Sequence, residues 1–283
     1  MKLGIARRAA VLGTLALGAR PAEAGTPRVA VTDWGLTETV LALGTTPVAA
    51  AELQGYAEWV REPEMPPGVA DLGLRSEPNL ELLHRTSPEL VLATPQFAPF
   101  LPRLERVAPV ATFATYTPDG NPLARSYDII REIGRLLGRE AAARTLLDRA
   151  GAAWTERAGQ LSPLGARPLL VASFVDARHL RAYGGNSLFG ATLSRLGVSN
   201  AWTAPTNFWG FATIPIERLA AVPDASFRII QPLPPAARTS LQHNRLWQSL
   251  PAVRAGRVIM MPPCWAFGGL PSAMRFARLL SHG

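Results

Sequence analysis

Residues 122–161 run for about forty positions without a strand pattern, and this interval constrains the fold more than any other feature of the chain. Apolar residues recur in it at helical spacing: Ile129, Ile133, Leu136 and Leu137, then Leu146, Leu147, Ala150 and Trp154. Gly138 reads as a break between two helices. The flanks are different. Residues 28–31, 47–51, 90–94 and 109–115 before it, and 169–174, 180–183, 227–230 and 258–261 after it, are short apolar runs bounded by turn residues, the signature of buried strands. Helical stretches alternate with them: one from Asp33 through Leu43, one opening at Pro78, one over 187–196 with Ser187 as N-cap, and a last over 272–280. Strands alternating with helices make α/β lobes. The predicted architecture is α/β, with two α/β lobes at 25–138 and 166–283. A single long connector helix at 139–165, closed by Ser162-Pro163-Leu164-Gly165, joins them, and a ligand cleft lies between the lobes.

Residues 1–24 stand apart. Lys2, Arg7 and Arg8 form a positive start, residues 9–19 are an apolar run too short to span a bilayer, and Ala22-Glu23-Ala24 is a small-x-small cleavage site. The expectation is a signal peptide cleaved after Ala24 and a soluble exported product. Arg7-Arg8 raises the twin-arginine route, although Ala-Ala and not a bulky residue follows the pair. With Cys264 as the single cysteine, a disulfide-stapled scaffold is excluded, and the roughly 260 residues after the leader must rely on their core. Lys2, Arg7, Arg8 and Arg20 against Glu23 give the leader three surplus positive charges, so cleavage lowers the net charge from +8 to about +5. Arginine supplies every basic side chain except Lys2, scattered singly and without a basic tract, which argues against nucleic acid as a partner.

The stretch Asp71-Leu-Gly-Leu-Arg75-Ser-Glu77-Pro78-Asn-Leu-Glu81-Leu-Leu83 places an arginine on a glycine-flanked loop. Loop, following helix and a strand ending near Thr94 converge on one edge of an α/β sheet, where ligands bind. A guanidinium there presents a planar fork of donors to an oxygen-rich anion, set against the alternative of a solvated surface arginine. Trp59, Trp209 and Trp265 lie in Gly- and Pro-rich segments from both lobes and not inside periodic helices, which favours an aromatic-lined cleft. Trp154 and Trp247 fall on helical patterns and read as packing. His84, His179, His243 and His282 lack metal-ligand spacing. There is no Gly-x-Ser-x-Gly elbow, and Cys264, between Pro263 and Trp265, has no activating neighbour in sequence. Gly184-Gly185-Asn186-Ser187 fits an anion cradle and a tight turn equally well. The residues therefore make a thin case for catalysis and a weak one for a protein-ligated metal.

The chain resembles the periplasmic ferric-hydroxamate siderophore binding proteins, class III substrate-binding proteins of ABC importers. The resemblance rests on Asp71 through Leu83, Arg167-Pro-Leu-Leu170, Gly185-Asn-Ser-Leu-Phe189, Thr206-Asn-Phe-Trp-Gly210, Leu246-Trp-Gln-Ser-Leu-Pro-Ala-Val-Arg-Ala-Gly-Arg257 and Ser272-Ala-Met274, in consistent order along the mature chain. It implies a binding protein and not an enzyme, with no cofactor of its own. It also implies a shallow aromatic cleft between two lobes, delivery of a ferric siderophore to an inner-membrane ABC permease with its ATPase, and action as a monomer. Arg75 matches the arginine that contacts hydroxamate oxygens, Trp59, Trp209 and Trp265 match cleft aromatics, and Thr94 matches a polar residue at a strand end. Iron in such proteins is held by the siderophore.

Departures from that pattern are specific. The family's cleft tyrosine falls at Phe97 and a second aromatic at Phe267, both keeping ring area and losing a hydroxyl. Arg181 stands where the family has an apolar cleft residue, which implies a ligand with an extra anionic group, unless the side chain points to solvent. Docking in this class uses an acidic residue on each lobe. Glu217 matches the second, while the first falls at Pro102 with Glu105 as a stand-in one turn on. Cobalamin or haem carriers of the same fold are the nearest competing readings, with Tyr56 and His179 as candidate haem ligands. A secreted hydrolase, drawing on Asp71 or Asp176, is the competing reading from another class.

Overall fold

The computed structural model describes residues 25–118, 120–161 and 167–281; the leader, the closing turn at 162–165 and His282 lie outside the described residues. Strands β1 (Val29–Val31), β2 (Ala49–Ala50), β3 (Ala70–Asp71), β4 (Leu90–Ala93) and β5 (Val110–Thr112) form a parallel sheet in the order β3-β2-β1-β4-β5. Strands β6 (Leu169–Phe174), β7 (His179–Tyr183), β8 (Phe211–Pro215), β9 (Ser226–Ile230) and β10 (Val258–Met261) form the second, in the order β10-β9-β6-β7-β8, with β7 antiparallel to both neighbours. Central strands covered on both faces become continuous apolar runs, which is why β1, β4, β6 and β9 are visible in the sequence. Two strands escaped the pattern. β3 is two residues at a sheet edge, and β8 (Phe-Ala-Thr-Ile-Pro) is partly exposed along its length.

Helices Pro122–Leu136 and Glu140–Leu161 fill the strand-free interval. Gly138 separates them at φ +63°, a left-handed turn that a glycine adopts without steric cost. Their apolar faces do more than link the sheets. Ile129, Ile133, Leu146, Ala150 and Trp154 join Val31 and Leu92 of the first sheet, and Val171 and Met261 of the second, in one continuous core. Separate clusters cover the outer faces: Leu72, Leu83 and Phe100 on the first, Phe174, Phe227 and Trp247 on the second. No helix of the described residues is long and apolar enough to cross a membrane.

Three boundaries differ from expectation. The helix expected to open at Pro78 is Leu80–Arg85, because the Asn79 side chain accepts the Leu82 N–H at 2.9 Å and caps it one residue later. Trp59, expected outside any helix, is the last residue of helix Leu53–Trp59, whose few apolar positions leave too little periodicity to read. The last helix is longer, Leu270–Ser281.

Two contacts fix where the loops before that helix can lie. Helix Trp34–Ala42 carries Glu38, completely buried, whose carboxyl accepts Gly269 N at 2.6 Å, Ser272 N at 3.2 Å and Ser272 Oγ at 2.5 Å. It thereby occupies the amides at the start of the final helix, which no intrahelical carbonyl can satisfy. Tyr116, just after the first sheet, donates its hydroxyl to Ala266 O at 2.8 Å and accepts Leu188 N at 3.2 Å, tying the first lobe to two points of the second.

Burial outweighs the three donors and pushes the Glu38 carboxyl up to about 8, from an ordinary 4.5. The folded protein thus holds a proton that the unfolded chain releases. Stability from this group is complete below pH 4.5 and is lost as pH rises through about 8. Glu38→Gln should flatten the slope of unfolding free energy across that window, read by urea titration at several pH values. Glu38→Ala, which leaves buried amides without an acceptor, should cost about 2–4 kcal/mol. Tyr116→Phe should lower stability by about 1–2 kcal/mol in the same measurement.

Candidate binding cleft

Arg75 sits two residues beyond Gly73, which takes φ +73° and offers its carbonyl to Glu52 N at 2.8 Å. Glu52 is held at φ +50°, a region that costs a non-glycine residue roughly 1–3 kcal/mol. The conformation places its carboxylate on Arg75, accepting Nε at 2.9 Å and the backbone N at 3.3 Å. The guanidinium also lies over the Trp34 ring, 3.8 Å from its centroid, and 5.5 Å from that of Trp265. One edge of the fork is therefore committed to Glu52 and one face to indole. Among the described residues the two terminal nitrogens have no hydrogen-bond partner, and Arg75 lines the cleft.

The cleft comprises two adjoining cavities of about 540 and 570 Å³. Arg75, Arg181, Trp265 and Phe267 line both, so they form the junction. The first cavity adds Asp33, Thr94, Gln96, Tyr116, Phe208, Trp209 and Phe211; the second adds Trp34, Glu58, Trp59, Tyr183, Arg238 and the proline-rich 232–235 segment. Aromatic rings run through both: Trp34 to Trp265 at 4.8 Å, Trp265 to Phe267 at 5.2 Å, Phe267 to Trp209 at 6.0 Å and Trp209 to Tyr116 at 5.5 Å. These spacings suit edge-to-face and tilted packing, which leaves indole faces for an organic ligand.

Each wall has a local cause. Trp209 is placed by Asn207, whose Oδ1 accepts Trp209 N at 3.0 Å and Phe211 N at 3.2 Å. The turn closes through Gly210 at φ +77°, where a Cβ would meet the Ser187 backbone at 2.5 Å, so only glycine fits. Ser187 caps helix Leu188–Arg195 by accepting Gly190 N at 2.9 Å, which makes Gly184 to Ser187 a turn and cap. Asp33 caps the first helix at Leu36 N. Burial raises its pKa, opposed by that amide and by the nearby Arg75 charge. Thr94 caps a short 3-10 turn, Pro95–Phe100, and faces the first cavity.

The remaining sequence candidates separate from the cleft. Phe97 lies on that 3-10 turn, half-buried, and lines neither cavity; Gln96 is the nearest lining residue in sequence. Glu105 and Glu217 are exposed, one at the end of helix Leu101–Leu104 and the other in the 3-10 helix Ile216–Ala221. Tyr56 is buried with its hydroxyl given to Pro63 O at 2.7 Å, and His179, the first residue of β7, pairs at 3.0 Å with Asp176 on the turn before it; none of the three lines the two cavities. Asp71 spends its carboxylate on Leu53 N and Gly73 N. Among the described residues no group of three or more His, Cys, Asp or Glu side chains is placed to hold a metal ion. Sequence reasoning missed Trp34, hidden at the start of a helical pattern, and Tyr116, Phe211 and Glu52, which carry no motif.

Comparison with known proteins gives a consistent picture. A family model described as periplasmic binding protein matches residues 29–264. The iron(3+)-hydroxamate-binding protein FhuD of Escherichia coli is 37% identical over 259 residues, 90% of this chain and 86% of that protein. The crystal structure of the siderophore binding protein FhuD from Vibrio cholerae, bound to Fe3+ and Desferal, superposes with a TM-score of 0.86 at 31% identity, covering 91% of this chain and 97% of that one. The triscatecholate siderophore binding protein FeuA of Bacillus subtilis shares the fold at 17% identity, with a TM-score of 0.74 over 93% of this chain and 94% of its own. By the span and depth of these matches, the chain belongs to the periplasmic binding protein family.

Proposed function

We propose that this protein binds ferric hydroxamate siderophores and delivers them to an inner-membrane ABC importer for iron uptake. The observation that carries the reading is Arg75: a guanidinium steadied by Glu52 and Trp34, with its terminal donors turned to an aromatic cleft. Hydroxamate oxygens bound to Fe(III) keep enough negative charge to accept from such a fork. Indole and phenyl faces cover the organic backbone without fixing its shape, which suits a site that takes related chelates. Thr94, Trp59, Trp209, Trp265 and Phe267 complete the lining. In this reading the metal travels as cargo inside the chelate, so no resident cofactor is needed.

Cobalamin gives Arg75 no hydroxamate to face, and a haem carrier would need an axial ligand where Tyr56 and His179 are already engaged elsewhere. The lobes proposed at 25–138 and 166–283 bracket the site, and within the connector proposed at 139–165 the helix Glu140–Leu161, packed into a core common to both sheets, favours small relative motions. The carrier acts as a monomer in the periplasm. Glu217 on the second lobe and Glu105 on the first, both exposed, would meet basic residues of the permease.

Tryptophan fluorescence should be quenched on addition of ferrichrome or ferrioxamine B, and not by cobalamin or haemin. Absence of quenching by any ferric hydroxamate would sink the reading. Arg75→Ala should weaken binding by about 10- to 100-fold in the same titration, the equivalent of losing hydrogen bonds from a charged donor. For docking, Glu217→Arg should lower siderophore-dependent uptake in cells while the purified variant is titrated in parallel. Unimpaired uptake removes Glu217 from the docking surface.

A further inference from the structure

The two arginines at the cleft junction are not balanced alike. Arg75 is paired with Glu52 and has Asp33 nearby, so protein carboxylates already offset its charge. Arg181 forms no ion pair with any carboxylate among the described residues. It stands on β7 opposite Ser173 of β6 and Thr213 of β8, so neither neighbouring strand brings an anion beside it. Its Nε is buried with no hydrogen-bond partner, the polar side chain beside its guanidinium is the uncharged Tyr183 hydroxyl, and the guanidinium lies 4.8 Å from the Phe211 centroid and 6.0 Å from that of Phe267. The second cavity contains one further cation, Arg238, against one carboxylate, Glu58. A half-buried guanidinium whose charge no carboxylate offsets leaves a site for an anion that the protein does not supply.

We infer that Arg181 is a specificity-determining residue that selects ferric hydroxamates carrying a free carboxylate. The inference rests on the reading of the cleft as a hydroxamate site and adds the charge of the ligand to it. Three hydroxamates neutralise Fe(III), so a simple trishydroxamate chelate satisfies Arg75 through its oxygens and brings no net charge for a second guanidinium. A carboxylate appended to the chelate reaches the junction, where Arg181 borders both cavities. There it supplies the missing countercharge, and the flanking rings keep water from screening the pair.

The test uses two probes with the same iron centre: ferrioxamine B acetylated at its terminal amine, which is neutral, and ferrioxamine B succinylated there, which ends in a carboxylate. Fluorescence titrations of the wild-type protein should show tighter binding of the succinylated form, with an advantage that shrinks as NaCl is raised. In Arg181→Gln the ratio of the two affinities should fall by about tenfold. Arg181→Leu, checked by thermal melting, should give the same ratio. An unchanged ratio in Arg181→Gln, with both probes still bound, overturns this inference and leaves the siderophore reading intact. If the wild-type protein binds neither probe nor ferrichrome, that reading fails first and the role of Arg181 falls with it.

Discussion

The buried carboxyl of Glu38 is the contact on which the cleft depends. It lies on the first helix of the chain and caps the last one, more than two hundred residues away, so it joins the first lobe to the segment that follows β10. Trp265 and Phe267 sit in that segment, a few residues before the capped amides. Gly268 leaves no room for a Cβ beside Glu38 and Ser272, so the backbone must pass close to the carboxyl. Tyr116 pins Ala266 from the other side. Between these two ties the junction aromatics have little freedom, and both cavities take their common wall from them.

Rigidity on the larger scale has a different source. The two helices between the sheets are not a spacer but part of the core, with Trp154 and Ile133 packed among residues from both lobes. Opening the cleft widely would expose apolar surface at about 25 cal/mol per Å². On the proposed function, a carrier built this way would adapt through its side chains, with ligand range set by ring placement and charge more than by closure of the lobes.

Charge is divided between two arginines with opposite surroundings. Arg75 has its electrostatic cost offset by Glu52, itself held in a strained backbone conformation, and by stacking on Trp34. Gly55 makes that stacking possible, since a Cβ there would run into the Trp34 ring. Arg181 has rings and the Tyr183 hydroxyl beside it but no carboxylate. One guanidinium is therefore pre-paired and oriented, while no carboxylate among the described residues offsets the charge of the other.

The sequence by itself determined the α/β alternation, the strand-free interval, the break at Gly138, the cap at Ser187 and the loop that carries Arg75. Each is local: it follows from apolar periodicity, backbone preference or a side chain reaching its own amides. Much of the aromatic lining was legible too, because Trp209 and Trp265 stand in Gly- and Pro-rich loops that cannot be helix faces. Tertiary structure decided the rest. Trp34 stood at the start of a helical pattern with nothing to mark it as cleft lining, Phe97 looked like a lining residue and does not line the cavities, and Glu52 and Tyr116 gave no signal at all. Hydrogen bonds and ion pairs act over a few ångströms between residues far apart in the chain, and a pattern read along the sequence has no access to that distance.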